Sequence, residues 1–211
     1  MMHKFLKAII IVFLLTSFTS IKAKVYLVSV GITDYPGTSM DLTLPAKDAE
    51  TISWIYSKNT NVVKEQLLNE QATLQNVISS MRRTFAQAGT DDIVVLFFSG
   101  HGYPGGFVAY DGQLTYTQVR KAMATSKCKN KMIFADACFS GKIRTNGNSS
   151  QSSLQAAKKA NVMLFLSSRS NETSIERRGM QNGFFTTYLQ KGLRGGADTN
   201  RDRVITAKEL Y

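Results

Sequence analysis

Ile93-Val94-Val95-Leu96-Phe97-Phe98-Ser99-Gly100-His101-Gly102 is a run of β-branched, aliphatic and aromatic side chains that stops at a histidine set between glycines. Unbroken apolar runs of this length are expected of a strand covered on both faces, as in a parallel sheet. A second stretch, Ile133-Phe134-Ala135-Asp136-Ala137-Cys138-Phe139-Ser140-Gly141, follows the same plan, and its cysteine lies 37 positions beyond His101. In open α/β sheets, reactive groups collect beyond the carboxyl ends of the strands. If the two strands are neighbours, imidazole and thiol reach the same rim.

Outward from this pair, strand and helix patterns alternate, which argues for a three-layer αβα sandwich around a mostly parallel sheet. Strands are expected at 25–30, 62–68, 93–98, 132–135 and 162–167, and a small hairpin at 105–112. Helices are expected at 46–56, 73–88, 115–124 and 184–193; Leu74, Val77, Ile78, Met81 and Phe85 have the spacing of one apolar helical face. Residues 141–153 are turn formers with almost no apolar content and read as a loop. No internal repeat is present.

Composition narrows the setting. Lys4 and Lys7, the apolar run Ala8 to Leu15 and the ending Ile21-Lys22-Ala23 have the order of a secretory signal peptide, with cleavage expected after Ala23. An exported protein, periplasmic or secreted, is therefore expected, with no stable membrane span once residues 1–23 are removed; an uncleaved anchor is the alternative. The full chain of 211 residues carries a formal net charge of +11. Its basic residues are scattered rather than interleaved with aromatics, so nucleic-acid binding is not expected. Residues 24–196 suit one α/β domain.

The chain has only two histidines, His3 and His101, and His3 lies in the signal segment. Cys128 and Cys138 are the two thiols. A disulfide is the structural alternative in an exported protein. The expected strand between them holds their Cα atoms beyond the roughly 7 Å limit of a bridge. The thiolate is the nucleophilic form, and an imidazole that takes the thiol proton activates it. His101 and Cys138 are thus the candidate catalytic residues. The backbone N–H groups of Gly102 and Cys138 are candidate oxyanion donors. Singly, each residue also reads as a core thiol or a loop histidine; the paired pattern is what favours catalysis.

With its SGHG and DACFSG stretches, the chain resembles the caspase-fold cysteine peptidases (caspases, metacaspases, paracaspases and clostripain-like enzymes), and most of all the bacterial metacaspase-like members. The likeness extends to Gly31-Ile32-Thr33-Asp34-Tyr35, Ala46-Lys47-Asp48-Ala49, Ser167-Ser168 with Glu172, and Gly183-Phe184-Phe185-Thr186. Asp136 stands where caspases place Gln, and metacaspases use an acidic residue there. The resemblance implies a substrate pocket built from Asp136, Asp48 and Ser167, and cleavage after Arg or Lys, since a charge there selects its opposite. Asp136 also reads as a cap on local backbone N–H groups, and Asp48 as a helix N-terminal carboxylate. Under the resemblance, no metal takes part in the chemical step. Lys142, Arg144, Lys158 and Lys159 flank the polar loop as candidate self-cleavage sites.

Residues 197–211 contain Asp198, Asn200, Asp202, the Val204 carbonyl, Thr206 and Glu209 at the spacing of an EF-hand calcium loop. Arg203 occupies the position that favours Gly, Arg201 adds positive charge, and Tyr211 arrives before a full following helix, so the motif reads as truncated. Calcium is accordingly a candidate structural or regulatory ion. The leading expectation is an exported cysteine endopeptidase acting on peptide or protein substrates with Arg or Lys before the scissile bond. The alternative is a catalytically silent, calcium-dependent binding or structural module on the same fold. Oligomeric state is not encoded in any pattern recognised in the chain.

Overall fold

Residues 23–58, 61–137, 162–167 and 181–210 are described by the structure, a computed structural model. Seven consecutive buried residues form β1 (Val25–Gly31). It is followed by α1 (Pro45–Ser57), β2 (Val62–Leu68), α2 (Leu74–Phe85) and β3 (Ile93–Ser99). A short antiparallel sheet comes next, β4 (Gly102–Tyr103), β5 (Gly106–Ala109) and β6 (Gly112–Thr115), before α3 (Tyr116–Ala124) and β7 (Asn130–Asp136). β8 (Val162–Leu166), α4 (Phe184–Lys191), a π-helical turn at Gly192–Gly196 and α5 (Ala207–Leu210) complete the described elements.

The main sheet has the order β2-β1-β3-β7-β8, and every pairing in it is parallel. Side chains alternate between its faces. Tyr26, Val28, Val30, Val94, Leu96 and Phe98 pack with Val77, Met81 and Phe85 of α2 and Val119, Ala122 and Met123 of α3. Leu27, Val95, Phe97 and Phe134 face the other way, against Ala49 and Ile52 of α1 and Leu189 of α4. These two cores on opposite faces make the expected three-layer αβα sandwich. Gly31 lets α1 approach the sheet: a Cβ there would lie 2.3 Å from the Pro45 carbonyl oxygen and 2.7 Å from the Ala49 Cβ.

Sequence expectation and structure differ where the pattern is short or polar. The expected hairpin is a three-stranded sheet, because two-residue β4 is too short to show periodicity. β7 begins at Asn130, ahead of its apolar stretch, since polar Asn130 and Lys131 still pair with Ile93 and Val94. Helix α2 starts after Thr73, whose side chain accepts the Asn76 N–H, and α3 opens with a capping box between Thr115 and Gln118.

Candidate active site

The adjacency that the reading required is present. β3 and β7 are hydrogen-bonded neighbours in a register that sets Ser99 opposite Asp136. The Gly100 N–H then donates to the Asp136 carbonyl at 3.2 Å, carrying the pairing one step past the strands. His101 follows Gly100 directly, and Cys138 follows Asp136-Ala137 in sequence. Cys138 itself, like His3, Lys142, Arg144, Lys158 and Lys159, lies outside the described residues.

His101 is held by groups remote in sequence. Its backbone N–H donates to the Tyr35 hydroxyl at 3.0 Å, and that hydroxyl donates to the Val108 carbonyl at 3.2 Å. The Tyr35 and His101 rings lie 5.0 Å apart. Imidazole Nε2 is 2.7 Å from the Met40 carbonyl oxygen. A carbonyl only accepts, so Nε2 carries the proton and a neutral ring keeps Nδ1 as its basic nitrogen.

The loop that supplies Tyr35 and Met40 is itself stapled. The Asn69 side chain accepts the Thr33 N–H at 2.9 Å, Asp41 accepts the Tyr35 N–H at 3.1 Å, and the Leu42 N–H donates to the Thr33 carbonyl at 2.8 Å. No sequence signal marked Met40, since its contribution is a backbone carbonyl. Tyr35 gains its role only from these contacts, which the Gly31–Tyr35 stretch alone does not signal.

Gly102 pairs with Phe107 across β4 and β5. The Val108 N–H donates to the His101 carbonyl at 2.9 Å, which makes 101/108 a hydrogen-bonded pair and 102/107 a non-hydrogen-bonded one. The Gly102 N–H therefore points away from β5.

Asp48 and Asp136 are brought together in burial, with exposures of 1% and 9%. The Asp48 carboxylate does not cap its own helix. Its Oδ1 accepts the Asn182 side-chain amide at 2.9 Å and the Gly183 N–H at 3.0 Å, and Oδ2 accepts the Ser99 hydroxyl at 3.1 Å. Burial, opposed by the Asn182 hydrogen bond and reinforced by the negative charge of Asp136, pushes the Asp48 pKa up to about 6. Asn182 was not singled out in the sequence because a polar residue near a helix start has no distinctive pattern; Gly183 was noted only within a motif.

Ser167 holds the other side of the β7 end. Its N–H donates to the Ala135 carbonyl at 2.9 Å, and its hydroxyl accepts the Ala137 N–H at 3.1 Å. It thus anchors the residue immediately before Cys138. Cys128 is a buried free thiol whose Sγ donates to the Asp92 carbonyl at 2.7 Å. β7 separates it from Ala137.

A model of the caspase domain matches residues 25–209. The chain belongs to this caspase-domain family. The family is one of cysteine peptidases, which act on proteins, and the three-layer fold agrees with it. The caspase-domain chain is also similar to the crystal structure of protein GSU0716 from Geobacter sulfurreducens, with 19% sequence identity, 82% of this chain and 83% of that chain covered, and a TM-score of 0.63. At that identity the likeness is one of fold. No curated protein matches the chain.

The C-terminal loop is folded on itself. Asp198 accepts the Asp202 and Arg203 N–H groups, Asn200 accepts the Asp202 N–H, and Asp202 accepts the Val204 N–H. Glu209 accepts the Thr206 N–H and hydroxyl. Arg201 and Arg203 both have left-handed backbones, with φ of 60° and 65°, so the turn that favours Gly is made by Arg203. Among the described residues, no three His, Cys, Asp or Glu side chains gather where a metal ion would fit. Nor is any described helix long and apolar enough to cross a membrane.

Proposed function

We propose that the caspase-domain chain is an exported cysteine endopeptidase that cleaves after Arg or Lys. The observation that carries the specificity is the buried pair Asp48 and Asp136 at the strand-end rim that also holds His101. Two carboxylates kept from water, one with its pKa raised, favour a ligand that brings positive charge. The neutral donors on Asp48 orient the carboxylate without neutralising it.

In the proposed reaction, His101 Nδ1 accepts the Cys138 thiol proton while Met40 holds Nε2–H. The thiolate adds to the scissile carbonyl, and the N–H groups of Gly102 and Cys138 receive the developing oxyanion. The protonated imidazole then gives its proton to the leaving amine, forming the acyl-enzyme. Water attacks that thioester with His101 again as base, and the carboxylic acid product departs with the thiol restored. Ser167 serves the pocket by fixing Ala137 beside Asp136. Excision within residues 141–160, at Lys142, Arg144, Lys158 or Lys159, is a maturation step consistent with this preference. Removal of residues 1–23 places the enzyme in the periplasm or outside the cell. Calcium has no step in this chemistry.

The test is a peptidyl-arginine chloromethyl ketone. Mass spectrometry should find one adduct, on Cys138, suppressed in Asp136→Ala. Labelling of Cys128 instead, or no labelling, contradicts the assignment.

A further inference from the structure

Asn182-Gly183 forms the entry to α4. Gly183 is the N-cap of α4 with φ of −54° and ψ of 155°, a conformation open to every residue. Its backbone therefore gives no reason for glycine, and Ser, Asp or Asn would cap the helix better. Space gives the reason. A Cβ on Gly183 would lie 2.5 Å from Asp136 Oδ2 and 3.1 Å from Asp48 Oδ2. The two carboxylates thus converge on the position where any other residue would place carbon. That point lies one bond length from the Gly183 Cα, so it seats no ligand atom; a side chain at 183 would instead push the two carboxylates out of place.

Asn182 sets the second half of the arrangement. It is 5% exposed, and its amide nitrogen bonds both Asp48 Oδ1 at 2.9 Å and Thr51 Oγ1 at 3.0 Å. With the Gly183 N–H on the same Oδ1, the carboxylate is fixed so that Oδ2 turns toward Ser99 and the Gly183 position. Thr51 and Asp48 both belong to α1. Asn182 therefore ties the α4 entry to the helix that carries the acid.

We propose that Asn182-Gly183 determines the selectivity of the acidic pocket. Gly183 leaves Asp48 and Asp136 undisturbed where they would meet a basic side chain, and Asn182 is the positioning residue that orients Asp48 there. This assignment rests on Asp48 and Asp136 being the pocket for Arg or Lys. It adds two residues, neither of which touches the reacting carbonyl, to those that choose the substrate.

The experiment measures benzamidine binding by calorimetry for wild type, Gly183→Ala, Asn182→Ala and Asp136→Ala, with Arg-peptide kinetics alongside. Wild type should bind, and Gly183→Ala and Asp136→Ala should each lose at least about tenfold in affinity, the scale of one charge-assisted hydrogen bond. Asn182→Ala should raise KM about fivefold with kcat within about twofold, the signature of lost uniform binding rather than lost chemistry. Binding lost in Asp136→Ala but within twofold of wild type in Gly183→Ala overturns the role of Asn182-Gly183 and leaves the pocket standing. Binding unaffected by Asp136→Ala, or none to wild type, overturns both. If circular dichroism shows Gly183→Ala unfolded, the Asn182→Ala arm decides: unchanged KM refutes the assignment.

Discussion

The β3–β7 rim and the loop from Asp198 to Glu209 both gather carboxylates, but they do so in opposite ways. At the rim, the acids come from α1 and β7, are buried, and Asp48 is held by donors at Ser99, Asn182 and Gly183. In the loop, Asp202 is exposed and Asp198 and Glu209 are half-buried, and all three accept N–H groups from residues close by in sequence. Acids that satisfy their own turn stabilise local structure. Acids that a fold brings together from distant segments against their mutual repulsion point to a ligand that relieves it.

Replacing residues of the rim should have the largest effects. His101→Ala should lower kcat by about 1,000-fold, the scale of general-base loss, in stopped-flow assays of an Arg-terminated fluorogenic peptide. Asp136→Ala should reduce kcat/KM on the same peptide by about 100-fold, as expected for removing one partner of a buried charge pair. A loss in Asp136→Ala equal to that in His101→Ala, on a neutral substrate as well, would move Asp136 from the pocket into the chemistry.

Stability should respond with the opposite sign. Because the folded-state pKa of Asp48 lies at about 6, above its unfolded value, its protonated form favours folding. That contribution is complete below pH 4 and is lost as pH rises through 6. Asp48→Asn should therefore be more stable than wild type at pH 7.5 by about 2 kcal/mol, with the gain shrinking toward pH 4, in urea melts at each pH. A variant less stable than wild type at pH 7.5 would show that the carboxylate is held for stability. Activity on Arg peptides should fall in the same variant, which separates what the acid does for the fold from what it does for substrate.

Tyr35→Phe should cost about 1 kcal/mol, one hydroxyl's hydrogen bonds, and lower kcat more than it raises KM, because its target is His101. In the C-terminal loop the change should be smallest. Arg203→Gly should stabilise by under about 1 kcal/mol by relieving a left-handed backbone, with peptide cleavage unchanged. Loss of cleavage there would join the two regions functionally.

The contrast also explains what the sequence disclosed. The strands, their two-sided burial and the order His101 then Cys138 were legible because unbroken apolar runs and strand-end chemistry are local patterns. Asp136 was visible for the same reason, lying two residues from the thiol. The convergence over Gly183 was not, because it depends on how α4 meets α1, a relation with more than a hundred residues between its partners. The Met40 carbonyl was invisible in principle, since every residue offers one. In the C-terminal loop, the spacing of oxygen ligands was legible, whereas their commitment to backbone N–H groups emerged only from the folded turn.

The most direct test is hydrolysis of four fluorogenic peptides that differ only in Arg, Lys, Asp or Leu before the scissile bond, by wild type and Cys138→Ala. Wild type should cleave the Arg and Lys peptides and leave the Asp and Leu peptides intact, and Cys138→Ala should cleave none. Preferential cleavage after Asp, or equal rates in the two proteins, would contradict the account.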